Sequence, residues 1–522
     1  MRVCFRVDAS FQIGSGHVAR CKTLANELRN RGVDCHFLCR DLAGNIIESI
    51  SRDGFTVMTL LDDTGTSVCG PDDDYGVPHG AWLETDWMTD AHQTIERLKV
   101  AETDWLVVDH YALDARWETH VRPYVRKVMV IDDLADRKHA CDILLDQNLV
   151  PDTELRYRRL ISPHCARLIG PQYALLKSAY GALRLRTPPR LGPVRRILVY
   201  FGGADLHNMT GLAVKAFNAM QRDDVTLDVV LGEQCIHADS VRALAHGRTN
   251  VVFHEALSSL APLMLKADVA LGAAGLTSWE RCCLGLPSLV ITLAANQKNN
   301  ATELDRQGLA RWLGDFSDVS VQSLTDSLRD VIDGADIEQW SRMCLNVLDG
   351  QGTGRVASIL TLDINTSLRC RLAQVSDERL LLRWVNDPTV RTQSFTTAKI
   401  TAEGHRRWFY QRLRQHEACR IYIVETNEAL PVGQVRFDCT QEGWEIDFSL
   451  DQIARGRRLG SQLLKTAISK FTRGAKAHAN FLGRVKLDNA SSQGVFARLG
   501  FERSSRGDHI VYRSSSCEGA VM

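Results

Sequence analysis

Four stretches of this sequence put reactive or ligand-holding side chains at spacings that chemistry would use. The first is Gly14-Ser15-Gly16-His17, between a β-branched run and a helical stretch from Val18 to Arg29. A helix start offers unpaired N–H groups to an anion, and Gly14 and Gly16 let backbone approach it closely. An imidazole at such a turn can lie open to a cleft, and the positive end of the helix favours its neutral, proton-accepting form. The second is Phe201-Gly202-Gly203-Ala204-Asp205 at the end of a strand-like run. The third, Gly272-Ala273-Ala274-Gly275-Leu276-Thr277-Ser278-Trp279-Glu280, crosses from strand to helix. It supplies hydroxyls, free N–H groups and, one turn in, a carboxylate able to accept from two vicinal ribose hydroxyls, so a nucleoside diphosphate suits it. The fourth is Arg455-Gly456-Arg457-Arg458-Leu459-Gly460-Ser461 after a strand ending at Leu450, followed by Asn489-Ala490-Ser491-Ser492 and Phe496. That loop would turn successive N–H groups and arginine charge toward a pyrophosphate. Taken singly, each stretch also fits a bland role: a capped helix with its polar residue in water, or a basic turn.

Elements must hold these residues in place. From Val3 to Leu362 short β-branched runs alternate with amphipathic helical stretches, which predicts parallel sheets covered by helices. Runs at Val3–Val7, Asp34–Leu38, Trp105–Val108 and Lys127–Ile131 precede a second series that starts near Arg196. The two series are separated by Thr187-Pro188-Pro189-Arg190-Leu191-Gly192-Pro193, a linker composition. The expected organisation is α/β, with two Rossmann-like domains, residues 1–187 and 188–364, facing one cleft. After Asn365-Thr366-Ser367 helices come early and strands follow at Arg420–Glu425, Pro431–Phe437 and Trp444–Leu450, which predicts an α+β domain over residues 365–515.

Several separated segments of the first part resemble, in the right order, the UDP-sugar hydrolases of pseudaminic acid biosynthesis. They are Arg6-Val7-Asp8-Ala9-Ser10, Ile13-Gly14-Ser15-Gly16-His17-Val18-Ala19-Arg20-Cys21, Val108-Asp109-His110-Tyr111, Ile131-Asp132-Asp133-Leu134, Leu168 through Leu176, and Asn296-Gln297. That family removes UDP from UDP-2,4-diacetamido-2,4,6-trideoxy-β-L-altropyranose and is similar to two-domain glycosyltransferases of the glycosyltransferase-B type. The resemblance implies His17 as catalytic base, Glu280 on the ribose, and Gly14, Gly16, Tyr111, Gly203, Gly275, Thr277, Ser278, Asn296 and Gln297 around the substrate. The fourth stretch resembles the GNAT acetyltransferases, whose Arg/Gln-x-x-Gly-x-Gly/Ala loop and Asn-x-x-Ser helix bind acetyl-CoA. Trp384-Val385-Asn386-Asp387-Pro388 with Val390-Arg391 resembles the branch that acetylates amino-sugars and protein N-termini. This implies Leu450, Arg455, Gly456, Arg457, Arg458, Leu459, Gly460, Ser461, Asn489, Ser492 and Phe496 as the acetyl-CoA site. Two positions depart from the pattern: Arg458 stands where the first loop glycine is usual, and Phe496 where a tyrosine usually protonates the departing thiolate.

Composition narrows the rest. The 522 residues are 44% hydrophobic and 24% charged with a formal net charge of +0, values of an ordinary globular chain. The charge is unevenly spread, since residues from Leu368 onward carry 25 basic against 16 acidic side chains. A phosphorylated ligand accounts for that excess as well as nucleic acid does, and no basic stripe with interleaved aromatics accompanies it. No apolar run approaches the ~18 residues of a membrane span, and no signal-peptide pattern opens the chain, so a cytoplasmic location without membrane partner is expected. Fifteen cysteines run from Cys4 to Cys517 without a Cys-x-x-Cys pair, so buried thiols and no metal are expected. Nothing points to an obligate protein partner. The expected whole is a bifunctional enzyme, a UDP-sugar hydrolase joined to an acetyl-CoA-dependent N-acetyltransferase acting on the 4-amino group of the UDP-amino-sugar precursor. A UDP-sugar glycosyltransferase, or a nucleotide-sugar-binding regulatory protein with a non-catalytic CoA-binding domain, remain as alternatives.

Overall fold

Buried β-branched runs become the central strands of two parallel sheets in the computed structural model, which describes residues 1–60, 77–153, 155–232, 235–255, 257–473 and 479–514. In the first sheet β1 (Arg2–Val7), β2 (Asp34–Arg40), β3 (Thr56–Leu60), β4 (Thr103–Asp109), β5 (Val125–Ile131), β6 (Ile143–Asp146) and β7 (Ala166–Ile169) lie in the order β3-β2-β1-β4-β5-β6-β7. In the second, β8 (Arg196–Tyr200), β9 (Thr226–Val230), β10 (Val251–His254), β11 (Val269–Ala273), β12 (Ser288–Thr292) and β13 (Arg311–Asp315) lie in the order β10-β9-β8-β11-β12-β13. All these neighbours pair in parallel. Both orders are those of a Rossmann-like sheet, whose direction of winding reverses between its first and fourth strands. A crevice opens at that reversal, beyond the C-terminal strand ends. The switch points are therefore β1/β4 and β8/β11; the first receives the loop of Gly14 and Gly16, the second the two glycine-bearing loops after β8 and β11.

Helices cover both faces of each sheet. The helix Gly16–Asn30 follows β1 and buries Val18, Cys21, Leu24, Ala25 and Leu28 at 3.6-residue spacing. The segment holding Ala174, Leu176 and Tyr180 belongs to the second core rather than the first, packing with Leu198, Trp279 and Cys283. The first part thus hands over to the second about a dozen residues before the proline-rich linker.

The chain divides into two compact units, residues 1–357 and 358–522. The division falls inside the helix Gly352–Thr361, seven residues ahead of the expected position at Asn365. The cause is local. Thr353 Oγ1 donates to the Leu176 carbonyl at 2.6 Å, whereas Ser358 Oγ donates to Glu428 at 2.8 Å and Leu362 is 3% exposed in the core with Tyr422 and Leu463.

In the second unit β14 (Leu368–Leu372), β15 (Cys419–Thr426), β16 (Pro431–Thr440), β17 (Gly443–Leu450), β18 (Phe481–Lys486), β19 (Glu502–Arg506) and β20 (His509–Arg513) form a mixed sheet ordered β14-β15-β16-β17-β18-β20-β19. Every pairing is antiparallel except β17 with β18, which pair in parallel only at Trp444 with Phe481 and Glu445 with Leu482. Beyond those residues β17 stays with β16 and β18 with β20, so the sheet opens into a wedge.

Candidate functional sites

His17 occupies the first switch point, in the first turn of the helix Gly16–Asn30, whose start has no side-chain cap and no acid in its first turn. The residue is 8% exposed, while Gly14, Ser15 and Gly16 are open to solvent. Gly14 takes φ +76°, a left-handed turn that a side chain would strain, and it brings the helix start to face the crevice. His17 Nδ1 lies 2.7 Å from Oδ1 of Asp109, the last residue of β4. Arg20, one helical turn on, forks onto the same carboxylate with Nε and Nη2 at 2.7 Å each, and its Nη1 reaches Asp133 at 3.0 Å.

These contacts fix the tautomer. Arg20 Nη2 lies 3.2 Å from His17 Nδ1, but a guanidinium only donates, and a bare Nδ1 would face carboxylate lone pairs at 2.7 Å. Nδ1 therefore carries the proton and donates to Asp109, leaving Nε2, which has no partner among the described residues, for the crevice. Burial alone would raise the Asp109 carboxyl, but Arg20 and His17 hold it well below the ordinary carboxylate range.

Tyr111 closes one side. Its hydroxyl donates to Asp133 at 2.5 Å and accepts from Asn296 Nδ2, beyond β12, at 3.4 Å. Its ring meets His17 edge-on at 4.6 Å. Burial and Asp133 push its phenol well above the ordinary value, so it stays a neutral donor. The Asp132-Asp133 pair is engaged by arginine: Asp132 by Arg137 at 2.8 Å, Asp133 by Arg20. Among the described residues no group of three or more His, Cys, Asp or Glu side chains is disposed to hold a metal.

At the second switch point the two loops differ. After β8, Gly202 and Gly203 lead to Asp205, whose carboxylate accepts from the Met209 and Thr210 N–H groups at 2.9 and 2.8 Å. The helix Met209–Met220 is thus already capped by an anion of the chain. After β11, the turn at Gly275 enters the short helix Thr277–Cys283 with no side-chain cap, and space around Gly275 is open except for Gln297 Nε2. Gln297 is itself held by the Leu293 N–H at 3.0 Å. Ser278 is buried, its hydroxyl accepting from Arg281 at 2.9 Å, so of the two expected hydroxyls only Thr277 lies at the open edge. Glu280 is half-buried beside Tyr180 and Tyr200, and burial raises its carboxyl above the ordinary value against the Tyr180 hydroxyl and Lys177. Asn296 Oδ1 is buried without a hydrogen-bond partner among the described residues.

The second unit places its motif residues around the wedge between β17 and β18, in a cavity of about 930 Å³ lined in part by Leu450, Arg455, Gly456, Asn489, Ser492 and Phe496. The loop is braced from Trp384-Val385-Asn386-Asp387: the Trp384 indole donates to Asp451 at 2.5 Å, and Arg455 Nη1 donates to Asp387 at 2.9 Å. Arg455 also bonds the Leu450 carbonyl, and Arg457 the Leu362 carbonyl at 2.6 Å, so both hold the loop's shape. Arg458 is exposed and takes φ +60°, the left-handed conformation a glycine would give, beside Gly456 at φ +72°. The departure from the glycine pattern thus leaves the backbone path intact at the cost of local strain. Leu459 is a core residue. A Cβ on Gly460 would meet Val495 Cγ2 at 2.8 Å, so the close approach there is to the helix Ala490–Arg498. Ser461 accepts from Arg498 at 3.1 Å, and Asn489 caps that helix through the Ser492 N–H at 3.0 Å. Phe496 is 1% exposed and stacked on Tyr512 at 5.1 Å.

Arg20, His79 and Trp82 belong to the first site but did not stand out as motif residues. Arg20 was readable as the i+3 neighbour of His17 on one helix face. His79 and Trp82 join through tertiary packing alone, against Tyr111 at 5.3 and 5.5 Å.

Known proteins match the whole chain and each of its parts. Residues 367–502 match the family described as Acetyltransferase (GNAT) domain. An uncharacterised protein of Methanocaldococcus jannaschii is 22% identical over 97% of this chain and 98% of its own length. The UDP-2,4-diacetamido-2,4,6-trideoxy-β-L-altropyranose hydrolase of Campylobacter jejuni is 22% identical over 59% of this chain and 97% of its own length. A crystal structure of Acinetobacter baumannii MurG covers 69% of this chain and 98% of its own at 13% identity, with a TM-score of 0.48. No helix of the described residues is long and apolar enough to cross a membrane. The chain joins a pair of Rossmann-like domains distantly homologous to that hydrolase to a C-terminal acetyltransferase (GNAT) domain.

Proposed function

We propose that the first unit hydrolyses a UDP-linked diacetamido-trideoxy sugar, with His17 as general base, and that the second N-acetylates the 4-amino group of its precursor. The observation that carries the hydrolytic reading is the 2.7 Å contact of His17 Nδ1 with Asp109 at a switch point, which leaves Nε2 facing the crevice. A buried carboxylate behind an imidazole fixes the tautomer and stabilises the imidazolium once a proton arrives. Nε2 takes a proton from water as its oxygen bonds to the anomeric carbon, and the carbon–oxygen bond to UDP breaks with its electron pair on the diphosphate. The open turn at Gly275 and Thr277, with Glu280 below it, is the candidate nucleotide end. In the loop after β8, Asp205 already takes the Met209 and Thr210 N–H groups, which leaves the open glycines Gly202 and Gly203 to face the substrate.

In the second unit the wedge and the left-handed Gly456–Arg458 path form a cradle that fits the pyrophosphate and pantetheine of acetyl-CoA. That co-substrate supplies the acetyl group. The residues of the chain brace the loop, and Phe496 has no proton to give, so another group or solvent protonates the thiolate. The product sugar and UDP from UDP-4-amino-4,6-dideoxy-β-L-AltNAc, incubated with and without acetyl-CoA in ¹⁸O-water, test the reading. Hydrolysis with label in the sugar and none in UDP is expected. Label in the phosphate would mean attack at phosphorus and would remove His17 from its role.

A further inference from the structure

Beside His17 stands an aromatic cluster that proton transfer does not use. His79 precedes the short helix Gly80–Leu83 and Trp82 lies within it. Their rings are 4.6 Å apart, and both face Tyr111, which in turn meets His17. Both are only half-buried. Here neither the Trp82 indole N–H nor a ring nitrogen of His79 has a partner among the described residues. The cluster therefore offers an apolar wall with an unused donor.

The charges around it decide between an amine and an amide. Arg137 lies over the Tyr111 ring at 5.6 Å, and Arg20 is beneath it on Asp109 and Asp133. The nearby acids are committed: Asp132 and Asp136 to Arg137, Asp133 to Arg20 and Tyr111. Burial, with Arg137 and His17 acting against Asp136, pulls His79 below the ordinary imidazole value. Among the described residues the carboxylate that acts on His79 is Asp136, already paired with Arg137 and so not free to compensate an ammonium, whereas a methyl fits the rings and a carbonyl oxygen fits the indole N–H.

We propose that His79 and Trp82 form the pocket for the 4-acetamido group of the sugar, its methyl against the rings and its carbonyl oxygen accepting from Trp82 Nε1. This rests on the hydrolytic reading above. It makes those two residues specificity-determining: through them the acetamido form of that position is selected over the free amine.

The test compares kcat/KM of the full chain for the diacetamido UDP-sugar and for its 4-amino precursor, without acetyl-CoA, in the unaltered protein and in Trp82→Phe. The ratio of the two values does not depend on how much protein is folded. The unaltered protein should prefer the diacetamido substrate at least ~10-fold, and Trp82→Phe, which keeps a ring and loses the donor, should cut that ratio roughly 3- to 10-fold, as one neutral hydrogen bond is worth. His79→Phe, which keeps the wall and leaves the donor, should retain most of the ratio. No preference in the unaltered protein, a preference for the amine, or a ratio unmoved by Trp82→Phe would each overturn the inference while leaving the hydrolytic reading in place. Hydrolysis of neither substrate would overturn that reading and this inference with it.

Discussion

Asp109 accepts from both His17 and Arg20, so a single carboxylate sets the orientation and the tautomer of the candidate base. Two substitutions separate these roles. His17→Asn should lower turnover by at least the ~10² expected of a general base and leave UDP affinity unchanged. Asp109→Asn allows its amide to donate to Nδ1, which puts the ring proton on Nε2. Turnover should then fall comparably with the ring still in place, a loss that steady-state kinetics and a UDP titration resolve. A second imidazole gives a pH signature of stability. His139 is fully buried between Glu118, 2.6 Å from Nδ1, and Asp132, 3.7 Å from Nε2. Burial opposes its charge, yet the two carboxylates raise it to about 9. A histidine raised above its unfolded value of ~6.5 contributes stability that is complete below that pH and is lost as pH climbs through the folded value. Urea midpoints of the unaltered protein and of His139→Gln should therefore converge between pH 6.5 and 9. A gap that widened would contradict the assignment.

At the scale of elements, the strands that the sequence made plain are the buried central ones, because a parallel strand covered on both faces is a continuous apolar run. β1, β4, β8 and β11, which carry the switch points, are of this kind. Some missed strands are edge ones, β19, Glu502–Arg506, exposed at every residue, and β13, Arg311–Asp315, half-exposed throughout, where no apolar periodicity exists to be read; but β6, Ile143–Asp146, buried at every residue inside its sheet, was missed as well, because four residues are too short a run to tell from a loop. The motif loops were legible as glycine patterns, but their internal accounting was not. Nothing in Phe201-Gly202-Gly203-Ala204-Asp205 says that Asp205 caps its own helix, nor in the arginine-rich loop that Arg455 and Arg457 are spent on carbonyls and Asp387. Arg458 is the exposed arginine of that loop, held in a left-handed conformation. Arg458→Gly should stabilise the fold by up to the ~1 kcal/mol that such a backbone costs a side chain, raising Tm, while removing a charge from the cradle and raising the KM for acetyl-CoA a few-fold. Arg458→Lys keeps both strain and charge and should move neither. A KM unaltered by Arg458→Gly would mean that the arginine faces away from the pyrophosphate.

For the whole molecule, the change in charge balance near Leu368 lies close to a structural division, but the two differ by ten residues, and those residues matter. Leu362 lies in the second unit's core with Tyr422, Val424 and Leu463, and Ser358 bonds Glu428, so residues before the charge change belong to the acetyltransferase domain. A fragment of residues 358–522 keeps these contacts. One starting at Asn365, where sequence pattern alone would cut, leaves a core gap the size of a leucine side chain, a defect that typically costs about 2–5 kcal/mol. The longer fragment should thus unfold at clearly higher urea and acetylate the amino-sugar with acetyl-CoA, and residues 1–357 should hydrolyse the diacetamido substrate without it. Because the first unit keeps its Thr353 bond to Leu176 in either cut, its own stability should be indifferent to whether it ends at 357 or at 364. Equal urea midpoints for the two acetyltransferase fragments would show that Leu362 does not belong to that core, and loss of hydrolysis by residues 1–357 would show that the first unit does not work alone.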